Sequence, residues 1–237
     1  AVARSICTIP TLSNSEHTAH NLSGLEADFT DISSLQPHLA GIQTLIHCAA
    51  RVHQVHETAS DSLAEYRRVN RDATLHLAHA ATREGVKRFI FLSSVKVNGE
   101  FSVPGQPFRS DQAAPLDPYG VSKWEAEQGL REIAAKTGLE IVIIRPPLVY
   151  GPGVKANFLS MMRWLHHGVP LPLGAIDNQR SLVALPNLVD FIDLCLTHRQ
   201  AANQTFMISD QHDLSTTELL RGLGQALGQP VRLLPIP

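Results

Sequence analysis

The sequence is poor in several things, and each shortage excludes something. Only 3 cysteines occur in 237 residues, Cys7, Cys48 and Cys195, and none forms a C-x-x-C. An odd, scattered set argues against a disulfide framework or a structural zinc and for a reducing compartment. Long apolar runs are missing too. The longest, such as Ile141-Val142-Ile143-Ile144, suit buried strands and are far too short to span a bilayer, so no membrane association is expected. The first residues show no basic region followed by a long apolar stretch, so no signal peptide is expected in them. Charge of one sign is not in excess: 20 basic and 22 acidic residues are spread along the chain, for a formal net charge of -2. Without a basic run or basic residues interleaved with aromatics, no nucleic-acid partner is expected. Twelve histidines are present, but no H-E-x-x-H or nearby carboxylate pairing completes a site at His53/His56 or His76/His79, and no metal site is expected from them. What remains is a cytoplasmic, globular chain, 43% hydrophobic and 18% charged, long enough for one large domain or a core domain with an appendage.

What is present alternates. Residues 1–4 read as the end of a strand, and 5–24 are polar and irregular. Helix-start chemistry follows at 30–35. An apolar run at 44–50 has strand length and ends in small residues. From about 60 to 84, Leu63, Tyr66, Val69, Asn70, Leu75, Leu77 and Ala78 approximate a 3.6-residue period, closed by Gly85. A buried strand at 88–92 ends at Ser93-Ser94, a Gly/Pro-rich loop spans 98–118, a helix carries Tyr119 and Lys123 to about 138, and a strand follows at 140–145. Apolar strands alternating with amphipathic helices predict an α/β fold with a parallel sheet covered on both faces. Ligands of such sheets bind beyond the carboxyl ends of the strands, where Ala49-Ala50, Ser93-Ser94 and Arg145-Pro146-Pro147 fall. After Pro146 the texture changes to Gly, Pro and short helices (158–167 and 187–198), with one more short strand at 205–208 returning to the sheet. The division expected is 1–145 and a smaller substrate-binding portion, 146–237, interleaved with the last sheet elements.

The chemistry lies around Pro118-Tyr119-Gly120-Val121-Ser122-Lys123. Residues four apart share a helical face, so Tyr119 and Lys123 present a phenol and an ammonium to one site. A free phenol titrates near 10 and is a poor base at neutral pH; a neighbouring cation is expected to lower that value. Ser94, arriving from a strand end, hydrogen-bonds the same oxygen, and together the groups suit proton transfer to a ketone or from an alcohol. The bland alternative is one solvated helix pair. Cys48, in a run of small apolar residues, reads as a packed hydrophobe rather than a nucleophile.

At this point the chain resembles the extended short-chain dehydrogenase/reductase family, in its nucleotide-sugar epimerase, dehydratase and ketoreductase branch. The resemblance implies a Rossmann-type doubly wound parallel sheet with a small, mostly helical C-terminal substrate lobe, and 1–145 as the dinucleotide-binding domain. Asp28, with Phe29 beside it, lies where the family's acidic residue touches the adenine. His47-Cys48-Ala49-Ala50 matches the loop beneath the cofactor pyrophosphate and ribose. Asn70 matches the mid-helix asparagine that braces the active-site strand. Phe91-Leu92-Ser93-Ser94-Val95-Lys96-Val97-Asn98-Gly99 resembles the serine strand with Ser94 at the catalytic position, Ser93 bracing its end, and Tyr119 and Lys123 match the tyrosine–lysine pair, Lys123 also binding the cofactor ribose. Arg145-Pro146-Pro147-Leu148-Val149-Tyr150-Gly151-Pro152-Gly153 looks like the segment that positions the nicotinamide, with Pro146 as its contact. Asn157 and Arg180 fall where family members bind the nucleotide diphosphate. Arg4, at the end of a second strand, suits the extra phosphate of NADP, so the cofactor implied is NAD or NADP. The partner implied is a UDP-linked nucleotide diphosphate sugar, and the assembly a homodimer.

Two departures matter. The first strand and the Gly-rich phosphate loop of the family precede Ala1 if they exist, and Pro235-Ile236-Pro237 is early for the family's end; a segment missing before Ala1 is the expectation. The Asp-Glu pair that follows the catalytic serine or threonine in family dehydratases is Val95-Lys96 here. That disfavours dehydration and leaves 4-epimerisation or 4-keto reduction. Leu148 replaces an asparagine common in sugar-nucleotide epimerases. Two other readings are carried forward: a reductase or isomerase of an apolar, steroid-like alcohol, lined by Leu148 and Leu171-Pro172-Leu173, and a non-catalytic binding module of the same fold.

Overall fold

The computed structural model describes residues 6–8, 23–25, 28–52, 62–154 and 156–236. In chain order they form β1 (Ile6–Thr8), β2 (Ser23–Leu25), α1 (Ile32–Leu35), β3 (Thr44–His47), α2 (Ser62–Tyr66), α3 (Ala73–Arg83), β4 (Arg88–Leu92), α4 (Pro118–Thr137), β5 (Glu140–Arg145), β6 (Leu148–Tyr150), α5 (Ala156–His166), β7 (Leu182–Ala184), α6 (Leu185–Thr197), β8 (Thr205–Met207) and α7 (Thr216–Ala226). Among the described residues no helix is long and apolar enough to cross a membrane.

Packing contacts divide the chain into two compact units, Ala1–Arg145 with Ile192–Met207, and Pro146–Phe191 with Ile208–Pro237. The first is built on a parallel sheet in the order β3-β4-β5-β8, with Thr44 opposite Arg88, Arg88 opposite Glu140 and Ile143 opposite Thr205. Strand side chains alternate between faces. Phe89, Phe91, Ile141 and Ile143 enter one core with Leu77 and Ala81 of α3 and Ala126, Leu130 and Ile133 of α4. Ile90, Val142 and Ile144 point to the opposite face and are equally buried. Both faces are therefore dry, which is why β4 and β5 read as continuous apolar runs.

The periodic stretch after residue 60 is not one uniform helix. Between α2 and α3 the backbone opens into a π-helical segment, Arg67–Asp72. A π turn takes up an extra residue within a helix and is frequent at functional sites; here it carries Asn70, which is fully buried. α4 starts on Pro118 with Asp117 as its cap, and ends at Gly138 in the left-handed region (φ 77°).

The second unit holds a parallel pair, β6 with β7. Phe158 of α5, Leu182 and Leu219 of α7 share one core; Leu165, Leu171 and Leu220 share another. Leu171 is thus a core residue, bridged to Leu233. Residues 192–207 belong with the sheet because β8 completes it beside β5.

Candidate active site

The carboxyl ends of β3, β4 and β5 and the first turns of α4 supply Cys48, Ala49, Ala50, Ser94, Pro146, Tyr119 and Lys123. Gly120 sets how close they come. A methyl group in place of its hydrogen would lie 2.6 Å from the Lys96 carbonyl oxygen, so a glycine next to Tyr119 lets α4 approach the segment after β4. That segment is a short 3-10 turn, Val95–Val97, with Ser94 at its head accepting a hydrogen bond from Lys96 N. The approach brings the Tyr119 phenol close enough to the Ser94 hydroxyl for that hydroxyl to favour its ionised form. Tyr66 packs edge-on against the Tyr119 ring, centroids 6.2 Å apart.

Lys123 goes elsewhere. Its Nζ donates to Leu92 O at 2.8 Å and lies 4.3 Å from the centre of the Phe91 ring, at 1% exposure. The expectation that this ammonium lowers the phenol's pKa is overturned. Burial pushes Tyr119 up to about 12, with the Ser94 hydrogen bond pulling down and Asp117 and Tyr66 pushing up. Burial brings Lys123 down to about 7, against the opposing pull of Cys48 and Glu127. Sharing a helical face did not make them partners, because the long lysine stem reaches the strand edge while the phenol stays at the helix start. In the free protein Tyr119 is thus an acid, the form that gives a proton to a ketone oxygen.

Asn70 is a clamp. Its Oδ1 accepts from Arg51 N at 2.8 Å, and its Nδ2 donates to Arg51 O and to Ser122 Oγ, each at 3.0 Å. Ser122 in turn donates to Tyr119 O at 2.8 Å. One amide therefore ties the chain after β3 to the helix of Tyr119. It braces that chain and α4 rather than the strand of Ser94. Replacing Asn70 by alanine leaves two backbone groups of Arg51 without this partner and is expected to cost about 2–3 kcal/mol, measured by urea unfolding. A loss below about 0.5 kcal/mol would show that water substitutes for the amide.

Phe29 is 4% exposed and packs edge-on against His47, centroids 5.5 Å apart, so its ring is part of the core. Asp28 is exposed, its carboxylate accepting from Thr30 N and Thr30 Oγ1 at 2.9 and 2.7 Å. Cys48 is exposed rather than packed, because β3 ends at His47 and Cys48 lies beyond the sheet; Ala49 and Ala50 follow it, half-buried. Pro146 is buried directly after β5. Arg180 is exposed in the second unit, its backbone paired with Leu214. Arg4 and the side chain of Asn157 lie outside the described residues.

Sequence reasoning passed over two groups. Glu127, one turn beyond Lys123, and Arg145, at the end of β5, form a buried ion pair with side chains at 0% exposure and a 2.6 Å contact. The signal was available: Tyr119, Lys123 and Glu127 are spaced four apart on one helix face. His47 is the other. Its Nε2 meets Thr74 Oγ1 at 2.9 Å, and Thr74 spends its own proton on Asn70 O, so the imidazole donates from Nε2 as a neutral ring. Burial, with Lys123 second, lowers its pKa to about 3.

The donor set fits a dinucleotide. Ala49 and Ala50 offer only methyl groups beyond β3, which leaves their backbone approachable. Lys123 has one described acceptor for its three ammonium hydrogens, and the others match vicinal ribose hydroxyls.

Residues 4–209 match the NAD dependent epimerase/dehydratase family. The chain belongs to that family. It is 48% identical over 226 residues to a UDP-glucose 4-epimerase of Vibrio cholerae, covering 93% of this chain and 69% of that protein. It is 30% identical over 215 residues to the N-acetyl-alpha-D-glucosaminyl-diphospho-ditrans,octacis-undecaprenol 4-epimerase of Escherichia coli O157:H7, covering 89% of this chain and 62% of that protein. The chain thus spans about two thirds of the length of these relatives. Among solved structures, MoeE5 in complex with UDP-glucuronic acid and NAD superposes with a TM-score of 0.74 at 27% identity, over 89% of this chain and 70% of that one. Bordetella bronchiseptica WbmG, in complex with NAD and UDP, has a TM-score of 0.73 at 22% identity, over 90% of this chain and 65% of that one, and shares the fold. The parallel sheet with helices is accordingly of Rossmann type, as the sequence implied.

Proposed function

We propose that this protein is an NAD-dependent 4-epimerase of a UDP-linked sugar, working in the cytoplasm as a homodimer. The observation that carries the proposal is the Tyr119 phenol beside Ser94 at the end of β4, where Gly120 lets α4 approach the turn after the strand, with Lys123 buried one turn further along α4. Ser94 holds the oxygen on C4 of the sugar, and Tyr119 moves the proton at that oxygen. Lys123 would bind the cofactor ribose, Asp28 the adenine, and the backbone of Cys48, Ala49 and Ala50 the pyrophosphate. Arg180 and Asn157 are assigned to the sugar-nucleotide diphosphate, which a guanidinium fork suits. Bound NAD supplies the two-electron acceptor and donor for C4. The chain's part is to place that carbon and to control its proton. The 4-keto reduction read from the same residues uses half of this cycle. NAD is preferred to NADP because the family is NAD dependent, while the case for NADP rested on Arg4 alone.

The test is direct. The full-length protein, supplied with NAD and UDP-galactose, is expected to form UDP-glucose, and UDP alone is expected to give a binding heat by calorimetry. Neither product nor heat would sink the proposal and favour an apolar alcohol as substrate. A lipid-linked diphosphate sugar is a second reading, favoured by the loop between Ser94 and Tyr119. That loop exposes Phe101 at 82%, Leu116 at 71% and Val103 at 59%, more apolar surface than a soluble sugar nucleotide needs. Turnover of a polyprenyl-diphosphate sugar in preference to the UDP-sugar would establish it.

A further inference from the structure

We propose that Glu127 is a positioning residue: paired with Arg145, it holds both ends of the segment from Ser93 to Asn98 and so fixes Ser94 against Tyr119. The inference rests on the function proposed above for Ser94 and Tyr119. Its starting point is one carboxylate. Glu127 Oε1 accepts from Arg145 Nε at 2.9 Å and Oε2 from Arg145 Nη2 at 2.6 Å, a two-pronged contact that fixes angle as well as distance. Arg131 adds a third donor, to Oε2, at 3.1 Å. The capacity left on Oε1 takes the hydroxyl of Ser93 at 2.6 Å. Ser93 N donates to Ile144 O at 2.7 Å, so this residue is held by both backbone and side chain.

The other end of the segment is held by the same ion pair. Arg145 Nη1 donates to Asn98 Oδ1 at 3.0 Å, to Gln112 O at 2.9 Å and to Ser110 O at 3.3 Å. Asn98 passes the contact on through Nδ2, to Arg109 O at 2.7 Å and Gln112 O at 3.1 Å. Ser94 therefore lies between two anchors, Ser93 and Asn98, that meet at one buried pair. A buried ion pair stabilises a fold little more than apolar side chains of the same volume would. What Glu127 and Arg145 contribute here is direction, because one hydrogen bond of each ends on the segment that aims the Ser94 hydroxyl, at Ser93 and at Asn98. That hydroxyl is the one side-chain group that lowers the pKa of Tyr119.

Ser93→Ala in the full-length protein tests this, since it cuts the tether and leaves the ion pair intact. Two readouts are needed: steady-state kinetics with the UDP-sugar, and the 13Cζ resonance of Tyr119 in protein with labelled tyrosine. With 3 tyrosines in the chain, Tyr119→Phe assigns the signal. The expected result is a Tyr119 resonance displaced in the same sense as in Ser94→Ala, a kcat lowered about tenfold and a KM within about twofold, the split produced by a misaimed group rather than a lost binding contact. A wild-type resonance, or a kcat within twofold of wild type, overturns the proposal. If the wild-type protein turns over no UDP-sugar, the functional reading fails by itself and the resonance alone decides this one. Glu127→Gln keeps the shape and loses the charge; if it folds, it is expected to displace the resonance further than Ser93→Ala does, and a wild-type signal there also overturns the proposal.

Discussion

Tyr119→Phe is expected to lower turnover of the UDP-sugar by about 10³-fold, the scale of a lost general acid–base group, while NAD affinity changes less than about threefold. The phenyl ring keeps the packing against Tyr66, and Lys123 keeps its bond to Leu92 O, so what disappears is the exchangeable proton beside Ser94. Burial holds the phenol near 12, so free Tyr119 is protonated at neutral pH. Taking a proton from the sugar alcohol therefore requires cationic charge beyond what this chain alone places next to the phenol. Kinetics with UDP-galactose and calorimetry with NAD check the prediction. Turnover within tenfold of wild type would remove Tyr119 from the chemistry; a matching loss of NAD binding would recast it as a binding residue.

The second large effect is on stability against acid. His47 titrates near 3 in the folded protein, against about 6.5 when unfolded. Between those values the unfolded chain takes up a proton that the folded one refuses, so stability falls as pH drops from 6.5 towards 3 and this contribution levels off below. At about 1.4 kcal/mol for each pH unit, the full loss is about 4–5 kcal/mol, an upper figure because the site opens somewhat under strain. Carboxylates add their own acid sensitivity, so the measurement is a difference. Urea unfolding of wild type and of His47→Gln, which keeps a donor for Thr74, is followed from pH 7 to pH 4. The advantage of wild type is expected to shrink steadily over that range. An advantage that stays constant would mean that His47 accepts its proton inside the fold.

The two predictions differ in how far the sequence alone leads to them. Tyr119, Lys123 and Ser94 are legible because spacing on a helix and the end of an apolar strand are local properties, and the expected strands at 88–92 and 140–145 coincide with β4 and β5. His47 is not. Its neutrality depends on Phe29, Phe89 and Phe91 packed around it and on a Thr74 whose proton is already committed, contacts between residues far apart in sequence. The π segment at Arg67–Asp72 escaped the periodicity for a related reason. Its extra residue is held by the hydrogen bonds of Asn70 to Arg51 and Ser122, not by any preference of its own residues. β6 and β7 are three residues each, too short for a period to register.

By itself, then, the sequence determined the sheet, the order of its helices and which side chains reach its carboxyl edge, because alternation and spacing follow from backbone geometry. Only the tertiary structure decided how those side chains are charged and aimed. It turned Lys123 onto Leu92 rather than onto Tyr119, raised the phenol by burying it, kept His47 neutral, and gathered Glu127, Arg145, Ser93 and Asn98 into one network around Ser94. Burial and hydrogen bonding between distant segments set these properties: the cost of charge in a dry interior depends on neighbours that the chain acquires only when folded.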